Sequence, residues 1–365
     1  MSSTSRPYYR RAGSVLLAAC AVLAVAACGS DVESLTDGTN AQSGTTDAGA
    51  VSTDAGAGTT DASADTAGEA DASDGAFPVS IDNMFGTTVI QSKPERVVSI
   101  GYTEGDYVLA LGVTPVAIRD WYGEQPGGLW PWAAESPAAD DSIVVLQPDA
   151  LNVEKVAELD PDVIVAMVSE IEQADYDRLT EIAPVLAQTD EYVRYGTPWD
   201  EVQLTIGKAL GLEHEAQAIV DDVSAQIADA AAAHPGWAGQ TANFSVPAAD
   251  GTWYAYTDQD SRGRLLTELG FIIPQPILDL AGDLFYAQGS GENLGLLDAD
   301  LLTYVTEEQD GVEALPLWQN IPAVVDGRSL FVDQGLAGAM SFSTTLSLPY
   351  AIDGLVPQIE TTLGS

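Results

Sequence analysis

The feature that most constrains the fold is one long helical pattern in the middle of the chain. Residues 213–234 contain no Gly or Pro, apolar side chains recur at helical spacing, and Pro235-Gly236 ends the run. At 1.5 Å per residue this helix would be about 33 Å long, the size of a small domain. A helix of this length predicts a connector between two folding units.

Short apolar strands alternate with helices on both sides of this connector. Residues 162–166 carry no polar alternation, which is typical of a strand buried in a parallel sheet. We predict an α/β fold: two α/β lobes with central, mostly parallel sheets, joined by one long helix, with a ligand cleft between the lobes. The other predicted strands are 96–100, 113–118, 185–187, 242–246 and 329–332, and the other helices are 104–111, 151–159, 176–182, 199–210 and 263–269.

The N-terminus has the pattern of a targeting segment. Basic residues precede an apolar run, 12–27, that is too short for a membrane span. Its end, Val25-Ala26-Ala27-Cys28, resembles the lipobox of bacterial lipoproteins, which predicts a signal peptide over 1–27 and lipidation of Cys28. Cleavage at Cys20 stays open, because Leu17-Ala18-Ala19-Cys20 fits the same pattern. Arg10-Arg11 likewise leaves Sec and twin-arginine export open.

Composition divides the rest of the chain. Residues 28–76 are Ala, Asp, Thr, Ser and Gly with few large apolar side chains, which predicts a disordered acidic tether. The predicted lobes cover 77–212 and 237–365, and the connecting helix covers 213–236. Both cysteines fall within the first 28 residues, so the folded part has none to pair.

Charge and histidine content exclude several classes of function. With 13 Lys+Arg against 55 Asp+Glu, the net charge of -42 argues against nucleic-acid binding and against polybasic docking on anionic lipid. The two histidines, His214 and His234, both lie on the predicted connector, and no metal-ligand or Ser-His motif is present. We therefore expect no catalytic residues, no cofactor and no protein-held metal.

Aromatic residues are dense in the predicted loops, where they would flank the carboxyl ends of strands. Packing of long loops explains each one singly, but the set predicts a cleft for a bulky, partly apolar ligand. Arg119 and Arg194 fall among them and could pair with carboxylate or hydroxamate oxygens. The aromatic candidates are Trp121, Tyr122, Trp130, Trp132, Tyr192, Tyr195, Trp253, Tyr256, Tyr286 and Phe342.

Several short runs occur in a characteristic order. They include Lys93-Pro94-Glu95-Arg96-Val97-Val98-Ser99, Leu159-Asp160-Pro161-Asp162-Val163-Ile164 and Arg264-Leu265-Leu266-Thr267-Glu268-Leu269-Gly270-Phe271. Through them the chain from Pro94 to about Pro357 resembles the periplasmic-binding proteins of iron–siderophore uptake. The resemblance implies a monomeric, lipid-anchored, extracytoplasmic component of an ABC importer. Such a protein captures a ferric siderophore, whose iron stays on the chelator, and delivers it to a permease dimer.

The same resemblance implies one docking glutamate on each lobe for the permease. Glu104, at the start of a predicted helix, and Glu292, after Gly289-Ser290-Gly291, match these positions. Two exposed carboxylates would suit electrostatic docking. For Glu104, a favourable interaction with the helix dipole is the simpler alternative.

Other functions stay open from the sequence. The same fold could bind a corrinoid or haem, or serve as a surface interaction protein that does not transport. A secreted hydrolase would need a histidine on a loop, which the chain lacks. Within the siderophores, the negative net charge favours a hydroxamate or mixed ligand over a polyanionic catecholate.

Overall fold

The computed structural model describes residues 77–148 and 151–364. The predicted signal peptide, the tether and both cysteines lie outside these ranges. The strands are β1 (Val79–Asn83), β2 (Gly86–Ile90), β3 (Val97–Ser99), β4 (Ala117–Arg119), β5 (Val144–Leu146), β6 (Val163–Ala166), β7 (Val185–Ala187), β8 (Ala242–Pro247), β9 (Trp253–Tyr256), β10 (Tyr286–Gly289), β11 (Leu301–Tyr304) and β12 (Ser329–Phe331).

Helices fill the segments between most of these strands. They are α1 (Glu104–Ala110), α2 (Pro131–Ala134), α3 (Val153–Glu158), α4 (Gln173–Thr180), α5 (Trp199–Leu210), α6 (Glu213–Ala233), α7 (Ser261–Glu268), α8 (Gln275–Ala281), α9 (Gln309–Glu313), α10 (Pro322–Val325), α11 (Gln334–Phe342) and α12 (Ser347–Leu363). No helix within the described ranges is long and apolar enough to cross a membrane.

The first lobe is built on the parallel sheet that the sequence predicts. Its strand order is β5-β4-β3-β6-β7, and every neighbouring pair is parallel. Strand β6 is buried along its whole length, as its apolar run predicts. The antiparallel β1–β2 hairpin, which the sequence analysis did not predict, lies beside β7, where the Met84 amide donates to the Gln188 carbonyl.

The second lobe is only half parallel. Its strand order is β10-β9-β8-β11-β12, in which β8, β11 and β12 run parallel whereas β9 and β10 run antiparallel to their neighbours. The turn between β8 and β9 is tight: the Ala248 amide donates to the Thr252 carbonyl, and Gly251 takes a φ of 87°. A connection this short joins only antiparallel strands.

The predicted connector is present as α6. The helix spans 21 residues and buries Ala216, Val220, Val223 and Ile227, and the chain passes from the first sheet to the second through it. It crosses α5 closely because Gly207 has no side chain: a Cβ there would lie 2.2 Å from the Cβ of Ala216.

One hydrophobic core runs through both lobes. The C-terminal helix α12, which the sequence analysis did not predict, packs against α6 and places Leu355 and Ile359 at full burial. Both residues belong to a continuous apolar cluster that also contains Val97 and Tyr107 of the first lobe and Phe244 of the second. The two lobes are therefore held by shared packing as well as by the connector.

We expect Leu355→Ala to destabilise the whole molecule by about 2–5 kcal/mol, because it removes a fully buried side chain from the shared core. Denaturant unfolding followed by tryptophan fluorescence and circular dichroism should show one transition that moves as a unit. The matched control is Leu280→Ala, since Leu280 is exposed and its loss should change stability by less than about 0.5 kcal/mol. Two separate transitions in Leu355→Ala, with only one shifted, would contradict a shared core.

Candidate ligand-binding cleft

Aromatic side chains meet at the carboxyl ends of the first sheet. Tyr102 follows β3, Trp121 and Tyr122 follow β4, and Tyr195 lies in the loop after β7. The Tyr102 ring lies 5.5 Å from Trp121 and 6.1 Å from Tyr195, between ring centroids. Carboxyl ends of parallel strands share one edge, which is the usual place for a ligand in such sheets.

The second lobe supplies the opposite aromatic surface. Phe342, the last residue of α11, lies 5.3 Å from Trp121 and 6.2 Å from Tyr122, and Phe285 lies 6.2 Å from Tyr195. We call this set the aromatic cleft: Tyr102, Trp121, Tyr122, Tyr195, Phe285 and Phe342. Phe342 is 8% exposed and the other five are partly exposed, so rings from both lobes retain accessible surface.

Arg119 ends β4 at the edge of the aromatic cleft. Its guanidinium carbon lies 4.6 Å from the centroid of the Tyr102 ring, in cation–π geometry. Nη2 donates to the Pro148 carbonyl at 2.6 Å, while the buried Nε has no hydrogen-bond partner in the structure. Among the described residues no carboxylate pairs with Arg119, so its positive charge is not cancelled.

Arg262 lies on the other side in a closed arrangement. Its Nε and Nη2 donate to the two carboxylate oxygens of Asp260, each at 2.7 Å, and its guanidinium carbon lies 3.4 Å from the Tyr256 ring centroid. Burial raises the pKa of Tyr122, in the first lobe, to about 12. A hydrogen bond with Ser341 and the positive charge of Arg262 both act to lower this pKa.

A buried set of hydrogen bonds holds the two lobes together beneath Phe342. We call residues 343–345 the interlobe turn. The Tyr107 hydroxyl donates to the Ser343 carbonyl at 3.1 Å, the Thr344 hydroxyl donates to Asp106 at 2.8 Å, and the Thr345 hydroxyl donates to Gln203 at 2.6 Å. Because Phe342 precedes this turn directly, these bonds fix where its ring enters the cleft.

Backbone conformations at the cleft are uncommon. Tyr195 has a φ of 64° and Ser343 a φ of 42°, both in the left-handed region that disfavours side chains with a Cβ. The Tyr195 hydroxyl donates to Glu170 at 2.5 Å, and Ser343 lies in the interlobe turn. Such residues cluster at functional sites, where surrounding contacts hold them in place.

Two predicted cleft tryptophans instead form a layer behind the cleft. Trp130 and Trp132 are nearly completely buried and stack at 5.1 Å on each other, with Phe342 against both rings. The Trp132 Nε1 donates to Asp106 at 2.8 Å. The loop prediction holds for Trp130, which immediately precedes α2 with extended backbone, but is wrong for Trp132, which lies within α2. They support the ring of Phe342 from behind and have little surface for a ligand.

Trp253 does not line the cleft. Its side chain is fully buried in the core of the second lobe, and its Nε1 donates to the Ser290 carbonyl at 3.1 Å. Trp253 and Tyr256 both lie on β9, not in a loop, and an odd separation puts them on opposite faces. The prediction that both side chains line one cleft is therefore wrong.

Glu104 is not an exposed carboxylate. It is fully buried and accepts hydrogen bonds from the Val168 amide at 2.6 Å and the Thr103 amide at 3.1 Å. Gly101 makes room for it, since a Cβ there would lie 2.0 Å from Oε1. The expectation that Glu104 presents a free carboxylate to a permease is wrong: its carboxylate joins the loop after β3 to the loop after β6. Glu292, in contrast, is exposed.

The remaining predicted residues lie outside the aromatic cleft. Tyr192 and Arg194 line a cavity of about 240 Å³ in the first lobe, together with Met84 and Phe85 of the hairpin. The Tyr192 hydroxyl donates to Glu201. Tyr286 starts β10, and its ring packs against Phe285 at 4.9 Å, so it supports the cleft from the side of the second lobe.

Sequence reasoning missed Tyr102 and the Asp260–Arg262 pair. Tyr102 comes three residues after β3, the position where a parallel strand delivers side chains to a ligand, and this signal could have found it. The pair follows β9 at the start of α7, where Asp260 also caps the helix by accepting from the Arg262 amide. No cluster of His, Cys, Asp and Glu that could hold a metal ion occurs in the described part of the chain.

Comparison with known proteins identifies the family. A family model described as periplasmic binding protein matches residues 97–334. The chain belongs to this family. The matched region begins at β3 and ends at the start of α11, so it contains both sheets and the connector.

Relatives and solved structures agree with this assignment. The probable siderophore-binding lipoprotein YfiY of Bacillus subtilis is 26% identical over 67% of this chain and 76% of its own. The Fe(3+) dicitrate-binding periplasmic protein FecB of Escherichia coli is 26% identical over 71% and 83%. A periplasmic solute binding protein from Mycobacterium smegmatis superposes with a TM-score of 0.69 at 32% identity, over 78% of this chain and 99% of that one. Streptococcus pneumoniae PiaA in complex with ferrichrome gives 0.69 at 28% identity, over 78% and 98%.

Asp106 predicts a stability that falls as pH rises. Burial raises its pKa to about 6, although hydrogen bonds from Thr344 and Trp132 oppose the shift, whereas an unperturbed carboxyl titrates near 3.8. The native state therefore binds more protons than the unfolded chain between these values. The resulting stabilisation is complete below the lower pKa and is lost as pH rises through the higher one, a change of about 3 kcal/mol.

We expect Asp106→Asn to reduce this decline, as measured by urea unfolding at intervals between pH 4 and pH 7. Part of the decline should remain, because burial also raises the pKa of Glu104. Asp333→Asn is the control, since Asp333 is exposed and caps α11. A variant whose stability falls with pH as steeply as that of the wild type would contradict this assignment.

Proposed function

We propose that this protein captures a ferric siderophore outside the cell and delivers it to the permease of an ABC importer. The observation that carries the proposal is the aromatic cleft, in which rings from both lobes face one another at the carboxyl ends of the first sheet. Relatives named for siderophores and for ferric citrate, and a structure solved with ferrichrome, support this ligand class. The iron would remain coordinated by its chelator, and the protein would contact the chelator's surface.

The remaining parts of the proposal concern the anchor and the partner. Lipidated Cys28 and the acidic tether would hold the folded lobes at the outer face of the cell membrane. The protein would dock as a monomer on a permease dimer. The ligand would be released without any chemical change. Two relatives are named as substrate-binding or siderophore-binding lipoproteins.

Titration with ferric siderophores tests the ligand. Saturable quenching of tryptophan fluorescence at submicromolar concentration, equivalent to about −8 kcal/mol or better, is expected for one class. Trp121→Phe should lower both the quenched fraction and the affinity, because Trp121 contacts rings of both lobes. Trp237→Phe is the matched control, since Trp237 stacks on His234 at the end of α6. Binding of a corrinoid or haem with no response to any ferric siderophore would contradict the proposal.

Uptake assays test docking separately from binding. Glu292 is exposed at the start of the short helical turn Gly291–Leu297, which Ser290 and Asn293 cap reciprocally. We expect Glu292→Ala to lower iron uptake by cells at least fivefold and to leave the siderophore affinity of the purified protein unchanged. Glu215→Ala, on the exposed face of α6, is the control. Unchanged uptake in Glu292→Ala would count against this carboxylate as a docking group and would favour a non-transport role.

A further inference from the structure

We propose that the cleft selects an uncharged or cationic ferric trihydroxamate over anionic chelates, and that Asp260 enforces this choice by cancelling the charge of Arg262. The inference deepens the proposed function and rests on it. The similar proteins do not decide the class, because they are named for ligands as different as ferric citrate, enterobactin and ferrichrome.

The Asp260–Arg262 pair leaves little positive charge for a ligand. The fork of Arg262 meets both oxygens of Asp260 at 2.7 Å, the strongest geometry for this pair. The other face of the guanidinium is covered by the Tyr256 ring. The side chains are 16% and 7% exposed, so water screens the pair only weakly. The pair is neutral overall. It would therefore not attract an anionic chelate, as an unpaired arginine would.

The pair lies where a ligand between the lobes would meet it. Ser261, between the two residues, donates to the Ser341 carbonyl at 3.0 Å, and Ser341 directly precedes Phe342 of the aromatic cleft. The charge of Arg262 acts on Tyr122, which contacts Trp121 and Phe342. The pair thus belongs to the second-lobe side of the cleft.

The other charged groups near the aromatic rings add no net positive charge. Arg119, Arg194 and Arg264, which donates to the Gly196 carbonyl beside Tyr195, are matched in number by Glu170, Asp120 and Asp258. A tricatecholate or citrate complex of iron carries several negative charges, and these groups together offer no net positive charge to offset them. A trihydroxamate complex is neutral, and its oxygens can accept hydrogen bonds from Arg119.

The aromatic faces suit the rest of such a ligand. The apolar linkers of a trihydroxamate can pack on Trp121, Tyr122 and Phe342, which burial in a cleft would favour. A terminal ammonium group, where a ligand has one, would be attracted to the faces of the Tyr and Trp rings. Both ligand types therefore gain these contacts without needing a net positive charge in the cleft.

Asp260→Asn tests the inference on the full folded protein, because Asn keeps the shape of the side chain and can still cap α7. The probes are ferrichrome, which is neutral, ferrioxamine B, which is cationic, and the anionic ferric enterobactin and ferric citrate. We expect the wild type to bind at least one hydroxamate at least 100-fold more tightly than either anion. In Asp260→Asn the affinity for the anions should rise at least tenfold, and that for the hydroxamates should change less than threefold.

Two controls separate charge from fold. Asp333→Asn removes another helix-capping carboxylate, from α11, and should leave the selectivity unchanged. Arg262→Gln removes the cation that Asp260→Asn uncovers, so it should not raise the affinity for anions. The gain in Asp260→Asn should also shrink as salt increases.

The outcomes distinguish the inference from the function on which it rests. A wild type that prefers ferric citrate or ferric enterobactin would overturn the inference and leave the siderophore-binding function intact. Equal selectivity in Asp260→Asn and the wild type would also overturn it. Failure of the wild type to bind any of the four ferric probes would overturn the proposed function itself.

Discussion

The interlobe turn, residues 343–345, is held from the opposite lobe by buried hydrogen bonds, and the shape of the cleft depends on them. Asp106 receives the Thr344 hydroxyl and the Trp132 indole on the same oxygen, so one carboxylate joins α1, α2 and the second lobe. Breaking either bond would leave a buried polar group without a partner, which costs more than the bond contributes when made. The turn therefore has one favoured position, and Phe342 with it.

This arrangement fixes the cleft before a ligand arrives. Because α12 packs against α6 and the apolar core is continuous, moving one lobe relative to the other would expose surface that both lobes bury. The rings that face one another are thus already in place, which lowers the ordering cost of binding. A rigid cleft of this kind selects ligands by the shape and charge it presents, since it has little freedom to adapt to a poor match.

The sequence predicted the elements whose signals are local. A helical stripe ended by Gly211 fixed α5, and an apolar run fixed β6, because both patterns lie within one element. The helix α12 was missed because Pro357 suggests a break, yet Pro357 lies on the exposed face of the helix. The burial of Glu104 depends on amides that are distant in sequence, such as that of Val168, and no local pattern reveals it. The presence of many aromatic residues near the cleft was predictable from local composition. Which of their side chains line the cleft was not, because that depends on contacts between residues distant in sequence.

The overall charge of the protein and the charge of its cleft act over different distances. A net charge of -42 repels anions at long range, but at physiological salt that field decays over about 8 Å. A ligand that enters the cleft leaves most of the screening water behind, so the nearest groups dominate its binding energy. Two of the arginines near this cleft differ in their partners: Arg119 donates to backbone carbonyls and lies over the Tyr102 ring, whereas Arg262 is neutralised by Asp260. The number of cationic side chains near a binding site is thus a poor guide to the charge of its ligand. What decides is how many of them are not already paired with a carboxylate.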